Sequence, residues 1–196
     1  MRNPVYYERN LPHRLPSGAA IFLTFRLAGS LPGPVLLRLQ MQFSVKETEN
    51  AASSYAQQRR YFGCFDALLD GAAAGPTWLR QPGVAALVGA SLRYFHARAY
   101  QLVGYCLMPN HVHAVVSLLD DAPPLVETLQ RLKGYTALHA NKLLARTGQF
   151  WQRETYDHII RSPEELTRIT AYVLNNPVKA GLVDTWEEWL HTYWPQ

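Results

Sequence analysis

The sequence predicts an α/β (α+β) fold, a ferredoxin-like antiparallel sheet with helices on one face. Three observations point there: an apolar run at Ala20–Leu27, two further strand-like runs hinged on Met108-Pro109-Asn110, and helical periodicity on both sides of that hairpin. With the section between Pro34 and Pro82 set aside, the order is strand, helix, strand, strand, helix, strand, followed by one more helix.

The elements follow in chain order. Gly29-Ser-Leu-Pro-Gly-Pro34 separates the first strand from a long polar helical stretch near Val35–Leu69, where Ala51-Ala-Ser-Ser54 weakens the helical signal. Gly71-Ala-Ala-Ala-Gly-Pro76 is a second break, so residues 35–81 read as a helical insertion inside one domain spanning 1–196. A helix near Pro82–Arg98 leads to a strand at Ala99–Leu107, and the turn delivers the next strand. Pro123 opens a helix to about Ala145, with Leu125, Leu129, Leu132, Thr136, His139 and Leu143 spaced as one face. A strand near Tyr156–Arg161 precedes a final helix, with Ser162 as N-cap, Pro163 as its first residue and Glu165 closing a capping box. Asn176 precedes Pro177, which disfavours helical geometry there, so this helix is expected to end at Asn176. Trp186, Trp189, Tyr193 and Trp194 read as a tail docked on the body.

Composition narrows the function classes. The 196 residues suffice for one domain with a full core. There is no run of 18 apolar residues, and Met1-Arg-Asn-Pro-Val-Tyr6 lacks an apolar leader, so neither membrane insertion nor secretion is expected. Two cysteines suit a reducing cytoplasm. A net charge of +4 and a pI of about 9.1 permit nucleic-acid binding without requiring it.

The chemistry-bearing stretch is Tyr105-Cys-Leu-Met-Pro-Asn-His-Val-His-Ala-Val-Val-Ser117. Residues two apart on a strand share a face, with Cα atoms about 6.5–7 Å apart, so His111 and His113 can converge on one divalent cation. Alone, the pair fits two half-buried, backbone-bonded histidines equally well. A cupin-like site would need a carboxylate where Leu118 stands, and a structural zinc site lacks a CxxC pair, since Cys64 is far from Cys106. A third ligand must come from elsewhere.

The final helix offers one. Leu166, Ile169 and Val173 form its apolar stripe, and Glu165, Tyr172 and Asn176 lie within about 40° of one another on its flank. Tyr172 and Asn176 are four residues apart, so a phenol and an amide oxygen can reach one place. Two imidazoles and an amide oxygen suit Mg²⁺ or Mn²⁺ with positions left open. Such a cation polarises a phosphodiester, and a tyrosine beside it is placed as a nucleophile.

YCLMPNHVHAVV followed by AYVLNNPVKAGLV resembles the REP-associated tyrosine transposases, HUH single-strand transposases with one catalytic tyrosine. The resemblance extends to Ala20–Leu27, Arg59-Arg-Tyr-Phe62, Gly75-Pro-Thr-Trp-Leu79 and Phe150-Trp-Gln-Arg153, in the same order and spacing. It implies a ferredoxin-like fold with a C-terminal catalytic helix, His111, His113 and Asn176 as cation ligands, and Tyr172 as the nucleophile that forms a 5′-phosphotyrosine. It also implies single-stranded DNA substrates, palindromic repeats folded into hairpins. No nucleotide cofactor is expected, and a monomer or a homodimer is.

Lys133, Lys142, Arg146 and Arg153 are the candidate DNA contacts, with Phe150 and Trp151 beside them as possible stacking faces. Each also fits a solvated helix face or a core aromatic. A DNA-binding protein that recognises such hairpins without cutting is the alternative function. Intact Tyr172, His111, His113 and Asn176 weigh against it.

Overall fold

A computed structural model of the chain describes residues 18–43, 51–71 and 75–195. The predicted leaderless start at 1–6, part of the Val35–Leu69 stretch at 44–50, and residues 72–74 of the second break lie outside the described residues.

Strand β1 (Ala20–Leu27) begins the sheet. Helices α1 (Gly33–Gln42) and α2 (Ala51–Asp70) come from the predicted insertion. Then follow α3 (Pro82–Tyr94), β2 (Tyr100–Leu107), β3 (His111–Leu118), α4 (Leu125–Leu143), β4 (Trp151–Ile160), α5 (Pro163–Lys179) and the short β5 (Thr192–Tyr193). The sheet order is β4-β1-β3-β2-β5, and every pairing is antiparallel. Its first four strands by sequence give the ferredoxin-like order 4-1-3-2.

Alternation along the strands builds two different faces. Ile21, Leu23, Phe25 and Leu27 of β1 join Val112, Ala114 and Val116 of β3 in the main core, which α3 and α4 close. The intervening residues face the opposite side. There Phe22, Cys106, Met108 and Val115 form a second core with Val173 of α5, and Phe62, Leu166 and Ile169 pack against it. The two core helices therefore share one face as expected, while α5 and the Phe62 face of α2 cover the other.

Several boundaries depart from the sequence expectation for physical reasons. β4 starts at Trp151 rather than Tyr156, because an edge strand tolerates the exposed Arg153 and Glu154 that hid its first half. Phe150 and Trp151 are buried, and the Trp151 indole donates to Thr136 Oγ1 at 2.8 Å, so they are core rather than base-stacking faces. On α4, Ala140 completes the buried face while Leu143 is exposed, as a 3.6-residue period requires over five turns. Ser162 caps α5 by accepting from Glu165 N–H, but the Glu165 carboxylate accepts from Arg161 N–H, so the capping box is displaced by one residue.

The end of α5 differs most usefully. The helix runs through Pro177 to Lys179. Proline removes one intrahelical donor, and the last carbonyls of the helix are taken by the cap: Ala180 N–H donates to Asn176 O, Gly181 N–H to Val178 O and Leu182 N–H to Pro177 O.

The tail docks as expected. The Trp189 indole donates to Leu107 O at 2.9 Å, and Tyr193 stacks on Tyr105. Gly104 permits the docking, since a Cβ there would lie 2.8 Å from the Trp194 ring.

Candidate active site

His111 and His113 project from β3 toward α5, both fully buried, with their Nε2 atoms 3.0 Å apart. The turn before them is pinned on three sides. Met108 N–H donates to His111 O, Leu79 N–H to Pro109 O, and Leu27 N–H to Asn110 O. Asn110 Nδ2 donates to Leu69 O, which leaves Asn110 Oδ1 facing His111 Nδ1 at 2.6 Å. An amide oxygen only accepts, so His111 carries its proton on Nδ1 and presents a lone pair at Nε2. His113 Nδ1 is held by Thr24 Oγ1 at 2.8 Å, and Phe22 stacks on the His113 ring. Both imidazoles are thus oriented from behind, the arrangement that metal-binding histidines use.

Helix α5 brings Asn176 and Tyr172 to the same place. Asn176 is fully buried, with Nδ2 3.3 Å from His113 Nε2, and its Oδ1 has no hydrogen-bond partner among the described residues. The amide nitrogen, not the expected oxygen, faces the imidazole. Rotation about χ2 exchanges the two at little steric cost.

Helix α2 supplies what the sequence reading missed. Asp66 and Asp70 of α2 enter the cluster with Phe62, all spaced by four residues on one helical face. Asp66 Oδ1 is 3.1 Å from His113 Nε2 and 3.8 Å from His111 Nε2, and Asp70 Oδ1 is 3.8 Å from His111 Nε2. Asp66 Oδ2 accepts from the Tyr172 hydroxyl. Lys179, also missed, donates to Asp66 at 3.3 Å and Asp70 at 2.9 Å. It reaches them because α5 continues one turn past the expected end, and a residue seven after Tyr172 returns to nearly the same helical face. The visible signals were an Asp pair at i, i+4 in the insertion and a Lys at i+7 from the tyrosine.

Burial and charge set the protonation states. Burial would raise the Asp66 carboxyl, but His113, His111 and the Tyr172 hydroxyl outweigh it and hold the group below the ordinary carboxylate range. Burial and the neighbouring Asp66 push Asp70 up. Burial and His113 hold His111 well below the usual imidazole range, which favours the neutral, ligating form. Burial, then Asp66, pushes the Tyr172 phenol up, so it stays protonated beside the carboxylates. Burial opposes the Lys179 charge, but Asp70 and Asp66 outweigh it.

The cluster fits a divalent cation. Two ligands at about 2.1 Å and at right angles lie about 3.0 Å apart, the separation of the two Nε2 atoms. Asp66, His111 and His113 form the cluster whose ligand atoms all lie within 4.8 Å of one another. The buried oxygens Asp66 Oδ1, Asp70 Oδ1 and Asn176 Oδ1 lack hydrogen-bond donors among the described residues. Buried polar atoms without donors are costly, and a cation at this point would satisfy them.

The four candidate DNA contacts lie elsewhere. Lys133 is engaged with the backbone of Gln152, Arg153 and Glu154 and with Thr155 Oγ1, where it holds the start of β4. Arg146 lies 3.9 Å over Trp78 and bonds Asn141 and Gln149. Lys142 and Arg153 are exposed.

The chain is similar to known proteins in sequence and in fold. The family described as "Transposase IS200 like" matches residues 90–176, which span α3 through Asn176. Residues 90–176 are similar to that family. The chain is similar to a Haemophilus influenzae protein whose name assigns it to the REP-associated tyrosine transposases, with 25% identity over 99 residues. That match covers 46% of this chain and 56% of the relative, so the chain spans little more than half the length of the curated relative it matches. The fold is similar to a solved REP-associated tyrosine transposase bound to a REP hairpin, with a TM-score of 0.58 and 13% identity over 94% of this chain and 82% of that one. The resemblance read from the motifs is therefore found by sequence and by fold. Asp66 and Asp70 lie outside the matched IS200-like segment. Among the described residues, no helix is long and apolar enough to cross a membrane.

Proposed function

We propose that this protein is a single-strand DNA endonuclease and strand transferase, a transposase acting on hairpin-forming palindromic repeats through a covalent 5′-phosphotyrosine on Tyr172. The observation that carries the reading is the convergence of His111 Nε2, His113 Nε2, an Asp66 oxygen and the Tyr172 hydroxyl in one buried cluster. Hairpin DNA as substrate rests on the resemblance to the hairpin-bound transposase fold.

His111, His113 and Asp66 would hold the cation, Mg²⁺ or Mn²⁺, with Asn176 turning its amide oxygen toward it. The cation supplies Lewis-acid polarisation of the scissile phosphate and stabilises the charge that develops on it. The two oxygens of Asp66 divide the work. Oδ1 faces the histidines, and Oδ2 holds the Tyr172 hydroxyl in place, whose proton passes to solvent as the bond to phosphorus forms. The Tyr172 oxygen then bonds to phosphorus, the bond to the 3′-oxygen breaks, and that oxygen leaves as a hydroxyl after taking a proton from solvent. A phosphotyrosine ester conserves a phosphodiester-like bond, so a second 3′-hydroxyl can reverse the step and join strands.

The test is incubation of the full chain with single-stranded hairpins drawn from its own genome's repeats, with Mg²⁺ or Mn²⁺. A covalent protein–DNA adduct that EDTA abolishes is expected. Tight hairpin binding with no adduct under either cation would overturn the reading in favour of a non-cutting hairpin binder.

A further inference from the structure

Beside Tyr172, on the side away from Asn176, the surface opens into a cavity of about 220 Å³ that the proposed chemistry does not use. Phe22, Phe62, Ile169 and Tyr172 line it with aromatic and aliphatic surface, and the exposed Arg59 and Arg168 line it with positive charge. Phe22 joins it to the candidate active site, because the ring that lines the cavity also stacks on His113, with centroids 5.5 Å apart. Phe62 is braced by Tyr156 at 4.1 Å and meets Phe22 edge to face, so the lining is held before anything enters. The polar wall is also fixed. Glu165, 9% exposed, accepts from Arg161 N–H, and its other oxygen lies 3.1 Å from His158 and 3.5 Å from Arg168.

We infer that this cavity is a pocket for one unpaired nucleobase next to the scissile phosphate, with Arg59 and Arg168 holding the adjoining backbone phosphates. This rests on the single-strand cleavage reading above. Size selects the occupant. Pockets for drug-sized ligands run to about 300–1,000 Å³, so this one takes a single planar ring system rather than two stacked bases. Chemistry selects it too, since aromatic walls and arginines at the rim match the π-faces and phosphates of single-stranded nucleic acid. A base captured here is drawn out of any stack and bends the backbone toward Tyr172. The pocket therefore acts as a positioning site, contributed jointly by β1, by α5 and by α2 of the insertion.

The experiment walks a single abasic site through the unpaired positions flanking the cleavage point of a hairpin substrate. Binding is measured with Tyr172→Phe protein and cleavage with wild type. One abasic position is expected to weaken binding about tenfold, within the range of base–aromatic stacking, while its neighbours change it little. Against a pocket variant, Ile169→Glu, with Ile169→Ala as a second in case the first misfolds, intact DNA should bind about tenfold worse and the same abasic site should cost nothing further. Losses that multiply, or a flat abasic profile with cleavage intact, would overturn the pocket alone. If intact hairpin DNA gives no adduct at all, the single-strand cleavage reading fails, and the pocket with it.

Discussion

The Tyr172 hydroxyl is hydrogen-bonded to Asp66, a carboxylate that also lies 3.1 Å from His113 Nε2. The proposed nucleophile and the proposed cation site are therefore linked through one side chain, and that side chain comes from α2. Asp66→Asn keeps the shape and removes the charge. Cleavage at limiting Mn²⁺ should fall at least about tenfold, the scale on which altered metal-site partners act, and should recover in part at high Mn²⁺. A cation titration of cleavage checks it, and an unchanged titration curve would remove Asp66 from the site.

His111→Ala and His113→Ala each delete an oriented imidazole from the cluster. Adduct formation should collapse in both, while hairpin binding largely persists, because the proposed phosphate and base contacts lie elsewhere. Gel-shift and adduct assays on the same preparations separate the two effects. Loss of binding together with the fold, seen by circular dichroism, would point to structural damage.

Lys179 neutralises Asp66 and Asp70 in the absence of a cation. Replacing it by Met leaves two acidic groups facing each other. The cation-free protein should lose stability by roughly 1 kcal/mol at most, because the Lys179 side chain is 49% exposed and solvent screens it. Saturating Mn²⁺ should close most of the gap, since a ligand that binds only the folded state raises its melting temperature. Paired melting curves with and without Mn²⁺ test this, and an equal loss in both would show that Lys179 does not substitute for a cation.

Asp157 sits opposite Leu23 in the β1–β4 register, and burial pushes its carboxyl up to about 6. A carboxyl raised above its unfolded value is destabilising when ionised, so the cost is absent at low pH and appears as pH rises between about 4 and 6. Asp157→Asn should therefore stabilise the fold at pH 8 by about 1 kcal/mol and leave it unchanged near pH 3.5. Thermal melts at the two pH values decide it. Stabilisation that is equal at both would assign the effect to packing.

Much of this architecture was legible in the sequence. The alternation in Ala20–Leu27 and the hairpin around Met108-Pro109-Asn110 encode the sheet, because its central strands are apolar and bounded by clear turn residues. His111, His113, Tyr172 and Asn176 were legible because their spacings, two on a strand and four on a helix, put them on shared faces. Asp66 and Asp70 were not, because an acidic pair on a polar helix looks the same whether it faces water or a buried cluster, and only the packing of α2 against β3 and α5 decides. Lys179 was hidden by Pro177, whose local preference against helix was overridden by the cap that follows it. Lys133 on α4 and Arg146 after it illustrate the converse, since basic residues that read as surface charge also bond neighbouring parts of the chain.

The central claim places one covalent bond on one oxygen. Tyr172→Phe keeps the ring against Phe22 and Phe62 and deletes only the hydroxyl, at a cost of about 1 kcal/mol for the lost hydrogen bond. The measurement is mass spectrometry of the digested adduct formed by wild-type protein on a single-stranded hairpin, with the Phe variant in parallel. The account predicts a 5′-phosphonucleotide on the peptide containing Ala171-Tyr172-Val173 and no adduct in the variant. A nucleotide on Tyr135 or Tyr156, or an adduct that persists in the variant, would contradict it.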